Sequence, residues 1–174
     1  DLALMSADQV KSINTAGLKG LTVSELTTEQ AAALTTGQIK ALSTDQVVDL
    51  TTDQVMGLTT AQVSALTSAQ AAAMQTADLE KLNADQVKAL TTASIAALKT
   101  EQVIALKTSQ IAAMTTAQVK SLTTAQVAVL ETADLAKLST SHIQALSAGA
   151  VANLTADQMK ALGTDQLNAL TTAQ

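Results

Sequence analysis

LTTAQVSA, from Leu58 to Ala65, is one copy of an eight-residue unit that recurs almost from end to end of this 174-residue chain. With its leucine as position one, that position falls at Leu26, Leu34, Leu42, Leu50, Leu58, Leu66, Met74 and Leu82, and continues every eight residues to Leu170, with methionine as the one replacement. Position six is Val, Ile, Leu or Met in each copy from Ile39 to Leu167 except Ala71, and Ala31 fills it in the first. An internal period of this kind decides the architecture before any local reading does. An unbroken α-helix turns about 100° per residue, so eight residues shift the pattern by roughly 80° and leave no fixed apolar face. In a strand, positions one and six have opposite parity and point to opposite sides. The chain must therefore break its regular path once per unit.

Positions two to five show where. Thr51, Thr52, Asp53 and Gln54, or Thr59, Thr60, Ala61 and Gln62, follow the S/T-x-x-E/Q capping box, in which hydroxyl and amide satisfy otherwise orphaned backbone N–H groups. With Thr51, Thr59 or Thr123 as N-cap and Gln54, Gln62 or Gln126 as its partner, the preceding leucine and the following valine form a hydrophobic staple. Asp45, Asp53, Asp85, Asp157 and Asp165 at position four suit the positive end of a helix dipole. Each unit thus predicts one helix over positions three to eight, then a bend at Leu-Thr. Helices so short do not stand alone in water, so they must lean on their neighbours. The expected fold is all-α: a solenoid of very short helices, one per octapeptide. Its expected core is Leu34, Ile39, Leu42, Val47, Leu50, Val55, Leu58, Val63, Leu66, Leu82, Val87, Leu90, Ile95, Leu122 and Val127.

Variations along the chain carry further expectations. Position two is not a capping residue at Gln75, Lys99, Lys107, Glu131 and Gly163, and in each case Thr76, Thr100, Thr108, Thr132 or Thr164 follows, which predicts that the cap moves one residue on. MQTADLEK (Met74 to Lys81) and LETADLAK (Leu130 to Lys137) put Asp78 and Asp134 in the glutamine slot, with Lys81 and Lys137 placed for an i,i+3 ion pair. Residues 1–25 carry the unit out of phase, and residues 26–174 form one continuous array. Where they join, Leu26 is expected to serve as both position six of one copy and position one of the next, with a kink or tighter turn. Position seven is the most variable and is expected to face solvent. Its apolar members Val48, Met56 and Ile104 are candidates for contact with a neighbouring chain or coil.

Composition bounds the chemistry. There is no Phe, Tyr, Trp, Cys or Pro, which removes aromatic binding platforms, disulfides and thiol catalysis. A net charge of −5 argues against nucleic acid, which calls for clustered Lys and Arg, and no apolar run is long enough to cross a bilayer. His142, the sole histidine, occupies a glutamine slot beside Ser139 and Ser141, without the further ligands a metal or haem needs or the oriented acid a hydrolase needs. The position-four aspartates lack a calcium-loop arrangement. Paired threonine hydroxyls invite a reading as an ordered-water surface, but capping accounts for them. No catalytic, cofactor-binding or metal residue is assigned, and no enzymatic activity is expected.

At LTTAQVSALTSAQ (Leu58 to Gln70) and LTTAQVAVLETADL (Leu122 to Leu135) the chain resembles the LTTxQVxA octapeptide arrays of very large bacterial secreted or surface proteins, some labelled adhesin-like and some haem-utilisation proteins. The resemblance covers essentially the whole chain and carries over no functional residue. It implies an extracellular or cell-surface stalk, spacer or fibre-forming scaffold that links other domains of one long chain and self-associates into fibres or bundles. The alternative is a solenoid whose groove binds a peptide, glycan or surface. Because the sequence ends inside a repeat at Gln174, the array is expected to continue beyond it.

Overall fold

Most octapeptides fold into the same two pieces, six helical residues and a two-residue joint, while Thr100–Ile104, Thr124–Ala128, Ala148–Ala152 and Thr164–Asn168 are one helical residue shorter. A computed structural model describes residues 2–174; Asp1, the first residue of the out-of-phase segment, lies outside the described residues. Among the described residues there are twenty α-helices, two 3-10 turns and no strand. The helix Thr60–Ala65 covers positions three to eight, as the spacing predicts. It follows Thr59 at φ −70°, ψ 158° and ends at Leu66 at φ −58°, ψ 130°. The joint is therefore two extended residues. No described residue has a positive φ, so these helices end without the left-handed glycine that closes many others. The closing leucine instead tightens the last turn: the Leu66 N–H donates to the Val63 carbonyl at 3.2 Å.

The N-terminal joint is capped as the box requires. The Gln62 N–H donates to Thr59 Oγ1 at 3.2 Å, and the Thr59 N–H donates to Gln62 Oε1 at 2.8 Å. Thr51 with Gln54 and Thr123 with Gln126 make the same pair.

The expected transfer of the cap does not occur. Helices still begin at Thr76, Thr100, Thr108, Thr132 and Thr164, and Gln75, Lys99, Lys107, Glu131 and Gly163 precede them without a side-chain cap. The reason is geometric. A capping side chain must come from the extended residue before the helix, and the threonine at position three is already its first helical residue. In the four units other than that of Gly163 the uncapped N–H turns to the main chain instead: Gln102 donates to the Lys99 carbonyl at 3.0 Å and Gln110 to that of Lys107 at 2.8 Å.

Helices three apart in the chain pack on one another, as Thr36–Ala41 does on Thr60–Ala65 and Ser68–Ala73 on Thr92–Ala97. The chain winds as a solenoid with positions one and six inward. Every core residue named above is buried. Val48, Met56 and Ile104 lie at the surface, 37%, 49% and 54% exposed.

The join near Leu26 differs from expectation. Val23, not Leu26, occupies position six: Val23 is buried, and the turn Val23–Glu25 is a three-residue 3-10 segment in place of a helix. Leu26 then opens the next unit. The three missing residues are the helix's first half, while the joint and its apolar pair survive, so the deletion shortens one helix and leaves the winding continuous.

Candidate functional site: a glutamine ladder along the solenoid

Position five is where the structure holds most that the capping motif alone does not reveal. Gln54 is 1% exposed, and Gln62, Gln70, Gln86, Gln102, Gln118 and Gln126 are each buried at a similar level. Each is the third residue of its helix, with its side chain aimed back over the preceding turn of the solenoid. While Gln62 Oε1 holds the Thr59 N–H, Gln62 Nε2 donates to the Ala31 and Leu34 carbonyls, both at 2.8 Å. These acceptors are 31 and 28 residues earlier, at positions six and one. The position-one carbonyl lies past the end of its short helix, and the position-six carbonyl has only the bond from the closing leucine, as from the Leu34 N–H to the Ala31 carbonyl at 3.2 Å. One amide thus satisfies the start of its own helix and the end of another.

The bond repeats with constant register. Gln70 donates to Ile39 and Leu42, Gln86 to Val55 and Leu58, Gln102 to Ala71 and Met74, and Gln110 to Leu79 and Leu82. Gln118 donates to Val87 and Leu90, and Gln126 to Ile95 and Leu98. Bonds that reach 28 and 31 residues back, together with helices packed three apart, place between three and four octapeptides in each turn of the solenoid. Across the shortened unit the same bonds span three residues fewer: Gln38 reaches Val10 and Ile13, 28 and 25 residues back. Gln54, which reaches Val23 and Leu26, confirms which valine holds position six there.

The exceptions show what the slot demands. Asp78 is buried, and its Oδ1 accepts from the Thr52 hydroxyl at 2.7 Å while its Oδ2 has no partner. The expected ion pair with Lys81 is not formed. Lys81 and Lys107 approach Glu80 instead, at 3.9 and 3.6 Å, because Asp78 points inward as glutamine does. No ion pair joins Asp134 and Lys137 either, since Asp134 Oδ2 turns in to accept the Glu131 N–H at 3.1 Å. Ser94 makes one long bond, to Leu66 at 3.3 Å. His142 follows the glutamine pattern most closely. Its Nδ1 accepts from the Ser139 N–H at 3.4 Å, and its ring meets the backbone of Met114, the residue 28 earlier. Burial holds its pKa below the usual histidine value, against a smaller upward pull from the Met114 hydrogen bond.

A family model described as the ALTTAQ repeat matches residues 23–60, 71–108, 104–130 and 127–164. The chain belongs to the ALTTAQ repeat family. That signature, which residues 169–174 spell out, runs from the last helical residue through the joint to the glutamine. It therefore spells one joint and the amide that ties it to another turn. No curated protein matches the chain.

Elsewhere the ALTTAQ array offers little concave chemistry. One open depression is lined by Leu138, Ser139, Thr140, Asp165 and Gln166, and another by Thr116, Lys120, Ser141 and Gln144. Among the described residues no three His, Cys, Asp or Glu side chains come close enough to hold a metal ion. No helix among them is long and apolar enough to cross a membrane.

Proposed function

We propose that this ALTTAQ array is a structural segment, a stalk or spacer that holds other parts of a large extracellular or cell-surface bacterial protein apart, without enzymatic activity of its own. The observation that carries the reading is the glutamine ladder: wherever position five is glutamine it ties one turn to the previous one by the same backbone-directed bonds, so length is set by copy number. The residues of that ladder are inside, and what faces outward is a varied, mildly acidic surface. Such a surface keeps a long solenoid dispersed and commits it to no single ligand.

Small-angle scattering on arrays of increasing copy number tests the mechanical half of the proposal. The expected result is a cross-section that stays constant while the maximum dimension grows in proportion to repeats; a particle that grows in all directions would refute it. Antibodies against the array, applied to intact bacteria that express the parent chain, test the other half. Binding without permeabilisation is expected, and labelling only after lysis would refute a surface location.

A further inference from the structure

The ladder is not evenly filled. Between Gln126 and Gln158 the position-five residues are Asp134, His142 and Ala150, so no ladder glutamine is present over an interval longer than the 28-residue reach of one turn. By the register of their neighbours these three serve the carbonyls of Val103 and Leu106, Ile111 and Met114, and Val119 and Leu122. Asp134 uses an oxygen on the Glu131 N–H, and a carboxylate has no N–H to donate. His142 contributes its one contact with Met114, and Ala150 contributes none. The gaps at Asp78 and Ser94 are different, because Gln70, Gln86 and Gln102 flank them singly. Among the described residues, only here is a whole boundary between turns without amide rungs.

The apolar half of that boundary is intact. Thr108–Ala113 packs on Thr132–Lys137, Thr116–Ser121 on Thr140–Ala145, and Thr124–Ala128 on Ala148–Ala152, with Leu135, Ile143 and Val151 buried between them. The depression lined by Thr116, Lys120, Ser141 and Gln144 opens across it. Apolar burial is non-directional and tolerates tilt and slip, whereas a hydrogen bond fails once its partners part by a fraction of its length. In a solenoid each boundary stands or falls on its own contacts.

We propose that the boundary between residues 103–122 and 134–150 is a yield seam, the place where the solenoid opens first while the turns on either side stay wound. Its use rests on the stalk reading above: a rod with one weak boundary lengthens stepwise under pull and spares the domains it joins. Its existence does not, so the two fail separately.

Hydrogen exchange followed by mass spectrometry on the whole chain tests the seam. Amides of Thr132–Lys137, Thr140–Ala145 and Ala148–Ala152 are expected to exchange at least about tenfold faster than those of Thr60–Ala65. The combined variant Asp134→Gln, His142→Gln, Ala150→Gln is expected to remove that difference. The converse variant, in which Gln102, Gln110 and Gln118 become Asp, His and Ala, is expected to move the fast region to the boundary those rungs serve. Exchange that quickens only towards the chain ends, or that changes less than about twofold in both variants, would overturn the proposal. Pulling single molecules by their ends gives a second readout: the lowest-force event should vanish in the first variant, and its persistence would count equally against the seam.

Discussion

Gln118 offers the sharpest separation of capping from laddering. Its Oε1 accepts the Thr115 N–H at 2.8 Å, and its Nε2 donates to the Val87 carbonyl at 2.8 Å and the Leu90 carbonyl at 2.7 Å. Gln118→Ala leaves the N–H and both carbonyls without this partner, in a site where the glutamine is buried. Stranding a buried polar group costs about 1–3 kcal/mol. The Val87 carbonyl keeps the Leu90 N–H and loses less, so the total should be about 3–5 kcal/mol. Gln118→Glu keeps the acceptor and hence the local box, but replaces the two donors with a charge that faces two carbonyl oxygens. If the ladder dominates, Glu should be as damaging as Ala or worse. If capping dominates, Glu should be nearly neutral, since the box accepts Glu and Gln alike. Urea unfolding followed by helical circular dichroism provides the comparison, with exposed Gln9→Ala as control: Gln9 caps Ser6 and makes no long-range bond. A loss below about 1 kcal/mol for Gln118→Ala, or a Glu variant as stable as the parent, would refute the ladder as a source of stability.

Three further outcomes follow from particular sites. Asp78→Gln should stabilise the array by about 1–3 kcal/mol in the same assay, because it replaces an unpartnered buried oxygen with donors for the Val47 and Leu50 carbonyls. Gly57→Ala should destabilise although alanine is the better helix former, since the added methyl would meet Thr28 Cγ2 at 2.5 Å; adding Thr28→Ser, which removes that methyl, should recover the loss. His142, with its pKa held low by burial, binds its proton more readily in the unfolded chain, so stability should be full above about pH 6.5 and fall as pH drops towards the folded value. Its protonation also takes away the lone pair that holds the Ser139 N–H. The fall in urea midpoint between about pH 7.5 and pH 5 should shrink in His142→Gln, and an unchanged slope would exclude the residue as its source.

The period carried most of this architecture. Leu58 and Val63, five residues apart within a period of eight, fit neither a continuous helix nor a strand, and the capping box placed the helix over Thr60–Ala65. The ladder was harder to read, because Gln62 is fully explained as the partner of Thr59 and nothing local asks for more. A signal was nevertheless present: position five never takes Glu, which would complete the box equally well but has no N–H to donate. Thr76 and Thr100 misled because composition reveals a hydroxyl but not whether its residue stands before the helix or already within it. Val23 was hidden for a similar reason, since only a partner 31 residues later, Gln54, identifies its place.

Every rung points the same way along the chain. The donor is the later residue and the acceptors are the earlier ones, so Gln126 finds the Ile95 and Leu98 carbonyls already wound when it arrives. A ribosome delivers the chain in that order. Each new octapeptide can therefore dock on a finished edge as it emerges, and a very long array can grow vectorially, one short closure at a time, without first collecting its distant ends.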